Sequence, residues 1–255
     1  MPNSVQNELP PAEKVAAQAT VALAPNGLNY TMWGETRIAH AELERLVGSV
    51  PRSLAPALAK RCYYFVPLVI HEGELTAVAP NYSVDLSDRA ICHRNVSMGL
   101  VEGVFLSTRL VDDRFGLSFE FLINVAHNFV DSVGVPQSFA DLAWSQAQAG
   151  VRGETSQDAW ETRRRALDPV VNSAGATLPT DERARKNFEE SAFSDSLAIY
   201  MLSLALDFDY HDLREREYPL LAAPALAERL RHIASLFPAN DGYEFQILYR
   251  RKGQS

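Results

Sequence analysis

FGLSFEFLINVAHNFVDSV, residues 115–133, is the stretch on which the reading of the chain turns. Leu117, Phe119, Phe121, Leu122, Ile123, Val125, Ala126, Phe129 and Val130 put apolar side chains on nearly every side of a helix. Glu120, Asn124, His127 and Asp131 follow one another at i, i+4, i+7 and i+11. That spacing aligns the four on one face. A helix apolar almost all round is expected in a core, where a polar group must be paired or functional. The stripe is therefore the first candidate for an active centre. Gly134 stands where helices end in the left-handed conformation, and Pro136 forbids resumption.

Working outward from it, Ser138 with Asp141 three residues on predicts a capping box opening a helix over 139–148, closed by Gly150. Residues 151–186 are charged, with a helix predicted over 157–167 and a loop through Asp168 and Pro169 to Pro179. The stretch 151–180 therefore reads as a polar excursion. A long helix is expected from 180 or 181 to about 206, on the spacing of Phe188, Ala192, Ile199, Leu202 and Leu206. Another is expected over 224–236 with Pro224 in its first turn, and the alternation of 244–250 predicts a final strand.

Toward the N-terminus, residues 1–20 read as a mobile leader, with a short helical pattern in 12–19. Residues 39–47 and 54–60 are helical in pattern. The aromatic and β-branched run 62–70, followed after a glycine-containing turn by 75–78, predicts a β-hairpin. Residues 82–86 and 103–110 are further strand candidates. The sum is an α+β fold, in which residues 21–255 form one domain. A small antiparallel sheet from the N-terminal half is expected to pack on a mainly helical C-terminal half.

Composition narrows the function classes. The chain has 255 residues, 47% hydrophobic and 22% charged, as in ordinary globular proteins. With 32 acids against 24 bases the net charge is −8, which opposes binding to a phosphate backbone, so no nucleic-acid partner is expected. Arg163, Arg164 and Arg165, flanked by Glu161 and Asp168, read as a solvated helix face. The longest apolar run, 62–70, falls short of the ~20 residues of a membrane span, and the first eleven residues lack a signal-peptide pattern. The expectation is a cytoplasmic protein without a membrane partner, with Cys62 and Cys92 as free thiols. No GxG spacing, phosphate loop or GxSxG elbow occurs, which sets aside dinucleotide redox, nucleotide hydrolysis and the common serine hydrolase layout.

Residues 125–134, VAHNFVDSVG, resemble the active-site helix of zincin metallopeptidases, which carries HExxH. Side chains at i and i+4 on one helix face are placed to hold a single metal. The resemblance makes His127 the first ligand. Asp131 stands at the second, where aspartate is an acceptable ligand for zinc or iron. It puts Asn128 where the catalytic glutamate belongs. Residues 187–195, NFEESAFSD, are similar to the zincin helix that supplies a glutamate ligand. In strict register Ser191 takes that place, and Glu190, one residue earlier, is the substitute third ligand. The implied protein is a metal-dependent hydrolase using a divalent metal on a small-molecule or peptide substrate. Its site is degenerate, because asparagine cannot take the proton from a metal-bound water, a role worth ~10²–10⁴ in rate.

Three further readings stand beside this one. The shell persists without catalysis, as an interaction protein. Alternatively, Glu120 and His127 act as a metal-free acid–base pair. Lastly, the stripe is structural, its polar groups bonding neighbouring backbone. Asp207 and His211 form a second i,i+4 pair that a facing helix would turn into a dinuclear site; the surrounding charges of 209–216 favour the reading of a solvated helix end over that one.

Overall fold

In the computed structural model, residues 9–72, 75–168, 181–213 and 218–247 are described. The chain divides into two compact units, 1–124 and 125–255. It is a mixed α and β protein whose described strands all fall in the first unit.

The first unit is built around β3 (Arg61–Val66), a strand of six residues of which five are buried. It pairs in parallel with β2 (Asn29–Met32) on one side and with β8 (Val101–Ser107) on the other. Antiparallel strands close both flanks: β1 (Ala22–Leu23) beside β2, and β7 (His93–Met98) beside β8. The sheet order is thus β1-β2-β3-β8-β7. The link from β2 to β3 carries α2 (His40–Gly48) and the short α3 (Ala55–Leu58), as a parallel crossover requires.

Both faces of β3 are covered. Cys62, Tyr64 and Val66 pack with Val96, Phe105 and the residues Ala12 and Val15 of α1 (Ala12–Gln18). Tyr63 and Phe65 meet Phe121, with ring centroids 5.2 and 5.3 Å apart. A strand covered on both faces reads as an unbroken apolar run. This corrects the expected wholly antiparallel sheet: the run 62–70 belongs to two sheets, divided at Pro67. Only its second part, β4 (Leu68–Glu72), forms the expected hairpin with β5 (Leu75–Ala79), in a three-stranded sheet completed by β6 (Ala90–Ile91). Ser107 ties the sheets together: its buried hydroxyl accepts from the Val69 amide at 2.7 Å and donates to the Ile91 carbonyl at 2.6 Å.

Other local expectations are corrected as well. Residues 84–87 form α4 (Val84–Ser87), where the Ser83 hydroxyl accepts from the Leu86 amide, so 82–86 is not a strand. Residues 12–18 of the expected leader are a helix with two side chains in the core, and residues 1–8 lie outside the described part.

The striped helix is α5 (Arg114–Val133), running through the boundary between the units. It ends as expected at Gly134, whose φ of 78° is left-handed and whose amide donates to Val130 at 2.7 Å.

The second unit is helical. It contains the end of α5, α6 (Gln137–Gln148), α7 (Gln157–Leu167), α8 (Glu182–Ala205) and α9 (Ala223–Leu236). Phe129, Phe139, Phe193 and Phe237 form an aromatic cluster at its centre, with centroid separations of 5.0–6.4 Å. The expected capping box at Ser138 is absent: Pro136 is the cap residue, and Gln137 instead donates to Asp141 at 2.8 Å.

The described part of the stretch expected as an excursion is packed. Glu154, fully buried, accepts from Arg229 through both oxygens at 2.8 and 3.2 Å and from Arg163 at 3.2 Å. Arg229 also donates to Gln146 at 2.8 Å, and Arg163 to the Gly153 and Val151 carbonyls. Gly153 lets the Leu220 backbone pass close beside this segment: its φ is +82°, and a Cβ there would lie 2.0 Å from the Leu220 oxygen. Residues 169–180 lie outside the described part. So do 248–250 of the expected final strand, and 244–247 are not in a strand.

Candidate functional site

Placed on α5, the four stripe residues meet different surroundings. Asn124 is buried and donates to the Glu120 backbone carbonyl at 2.8 Å and to its carboxylate at 3.4 Å. His127 and Asp131 are exposed to water, and Asn128, beside the stripe, is only 1% exposed. The expectation of a helix buried all round therefore holds for its apolar sides but not for the C-terminal half of the stripe. Exposure removes the desolvation cost that would have required a function for His127 and Asp131.

The structure brings Glu120 together with a residue from outside the stripe, a pairing that the sequence did not suggest. His93, the first residue of β7, places its Nδ1 2.5 Å from Glu120 Oε1. The side chains are 43% and 21% exposed, so the pair is open to solvent on one side and held on the other. A carboxylate at this distance fixes the orientation of the imidazole, leaving Nε2 as its second hydrogen-bonding position. Phe121, the residue after Glu120, is lodged against Tyr63 and Phe65, which anchors this turn of the helix over the sheet.

Cys92 and His93 turn to different partners. Cys92 Sγ accepts from Arg109 at 3.4 Å, and the same guanidinium donates to the Ala90 carbonyl at 2.6 Å.

β7 itself was not legible as a strand. Its residues His93, Arg94, Asn95 and Ser97 are polar and exposed, and Val96 alone is buried. It carries no apolar alternation long enough to be read. It lies at the end of the five-stranded sheet, paired with β8 from His93↔Leu106 to Met98↔Val101, and among the described residues no strand pairs with its other edge.

Glu190, on α8, sits 3.6 Å from Lys186 with 38% of its side chain exposed. It lines an open cleft of about 420 Å³ with Asp158, Glu161, Arg165 and Asn187. Among the described residues no three His, Cys, Asp or Glu side chains converge as a metal centre requires.

Farther along α8, Asp195 is buried and accepts from the Thr155 hydroxyl at 2.9 Å. Burial pushes its carboxyl up to about 7. Hydrogen bonds from Ser156 and Thr155 oppose that rise, while the charges of Glu154 and Asp158 reinforce it.

Asp207 and His211 do not share a helix. α8 ends at Ala205, and His211 belongs to a separate 3-10 turn, Tyr210–Leu213. Both are exposed, which matches the reading of a solvated helix end; residues 214–216 lie outside the described part.

No protein-family model matches this chain, and comparison with curated proteins finds no match. Among the described residues no helix is long and apolar enough to cross a membrane.

Proposed function

We propose that this chain is a peptide-binding protein built on a zincin-like shell whose metal centre has been lost. One observation carries the reading. An exposed antiparallel edge strand, β7, has its first residue fixed at 2.5 Å by a carboxylate of the striped helix. An open strand edge presents backbone N–H and C=O groups that an extended peptide pairs with, and alternate side chains of the strand supply selectivity. Arg94 offers a guanidinium to a carboxylate of such a peptide, and the His93–Glu120 pair offers an oriented imidazole next to it.

In this reading the residues present do not fit the metal of a zincin. Asn128, which has no basic side chain, is buried beside the first ligand position, His127 and Asp131 face water, and Glu190 is held near Lys186. A hydrolytic step through a metal-bound water then has neither a complete ligand set nor a base.

The test uses two proline variants on β7, Arg94→Pro and Asn95→Pro. Successive amides of an edge strand point alternately into the ladder and outward, so one of the two substitutions removes only an outward donor. That variant should unfold like the parent yet lose binding to extended peptides selected from an unbiased peptide array. Undiminished binding in both folded variants would exclude β7 as the site. A metal content of about one zinc or iron per purified chain, lost with His127→Ala, would instead favour a metal-dependent hydrolase with His127, Asp131 and Glu190 as ligands.

A further inference from the structure

In the second unit, α6 and α9 are pinned to each other at two places. At one, Gln146 donates to the Glu228 carboxylate at 2.8 Å and accepts from Arg229 at 2.8 Å. At the other, fully buried Phe139 packs on Phe193 and beside His232, with ring centroids 5.0 and 6.4 Å apart. Burial of Phe139 fixes the rotation of α6, and its neighbour Ser138 faces water. Ser138 Oγ then lies 3.0 Å from His232 Nε2.

A capping box would have tied this hydroxyl to a backbone amide. Pro136 takes the cap position instead, and among the described residues the Ser138 hydroxyl has His232 as its partner. A serine hydroxyl within hydrogen-bond reach of an imidazole nitrogen is the nucleophile–base arrangement of acyl transfer. The Pro136 carbonyl takes the amides of Phe139 and Ala140, which leaves those of Gln137 and Ser138 without an acceptor among the described residues. These two donors adjoin the nucleophile, where charge develops on the oxygen of an attacked carbonyl. Glu228, one turn before His232, is engaged by Gln146, and among the described residues no carboxylate holds His232 Nδ1. The arrangement is thus a dyad, which suits substrates with a good leaving group.

We propose that Ser138 and His232 form an acyl-transfer site that hydrolyses activated esters. Ser138 Oγ attacks the ester carbonyl as its proton passes to His232 Nε2. The acyl C–O bond breaks, and the departing alkoxide takes that proton. Water then attacks the acyl-serine and gives a proton to His232, which returns it to the Ser138 oxygen as the acid leaves.

Two probes on the full chain test this: p-nitrophenyl acetate for turnover, and a fluorophosphonate located by peptide mass spectrometry. The parent should release nitrophenol beyond the first equivalent and carry a single phosphonate, on Ser138. Ser138→Ala should abolish both reactions. His232→Gln keeps a hydrogen-bonding side chain but no base. It should unfold like the parent and slow both reactions by about 10²–10⁴-fold. The proposal is overturned if the phosphonate settles on another residue or on none, or if nitrophenol release stops at one equivalent. It is also overturned if folded Ser138→Ala turns over ester as the parent does. Parental labelling in His232→Gln would overturn it too, leaving the pair as a staple between two helices.

Discussion

At the scale of single residues, two buried acids govern the second unit in opposite ways. Glu154 lies between two guanidiniums, and its replacement leaves both cations without their carboxylate partner in a site closed to water. Glu154→Gln should therefore cost about 3–5 kcal/mol, the range for breaking a buried ion pair from one side. Urea unfolding of parent and variant measures it, and a loss below about 1 kcal/mol would mean that the cluster is solvated in solution.

Asp195 works the other way. Its carboxyl titrates near 7 in the fold against an ordinary value of 3.8, so the native state holds a proton that the unfolded chain releases. Its stabilising contribution is complete below about pH 4 and is lost as the pH rises through about 7. Asp195→Asn keeps an acceptor for Thr155 and removes the charge. The variant should match the parent near pH 3.5 and melt several degrees higher at pH 8. A constant difference across that range would show that Asp195 is ionised throughout.

At the scale of elements, one hydroxyl bridges the two sheets of the first unit. Ser107 satisfies the buried amide of Val69 on β4 and the carbonyl of half-buried Ile91 on β6. Ser107→Ala leaves these groups without a partner and should destabilise the protein by about 1–3 kcal/mol. Hydrogen exchange should show the largest loss of protection at Val69, and a uniform loss over the sheet would point to a packing effect instead.

The legibility of the elements follows their physics. α5, α7, α8 and α9 were readable because one apolar face repeats at the helical period and capping or breaking residues stand at their ends: Gly134, Ser156, Asp181 and Pro224. β3 was readable as a strand but not as a parallel one, since an unbroken apolar run fits a buried strand without naming its neighbours. β2 and β7 were missed because four or six residues with few apolar side chains carry no period. The site shared that fate. Glu120 was visible in the stripe, whereas His93, twenty-seven residues earlier, is brought to it only by the register of β7 on β8.

At the scale of the whole molecule, a mixed sheet with two antiparallel flanks occupies the first 124 residues and a helical unit the rest. An acidic protein with an exposed polar edge strand is best suited to a partner that supplies its own backbone hydrogen bonds, and Arg94 gives that edge a local positive charge. The central claim is that β7 binds peptide without help from a metal. Its most direct test is a titration of an array-selected peptide into protein purified without a metal-affinity tag, repeated in excess chelator. The account predicts the same affinity in both, less than about 0.1 zinc or iron per chain, and a weakened affinity in Glu120→Gln, where the orienting charge beside His93 is gone. Cleavage of the peptide that stops on chelation would contradict it.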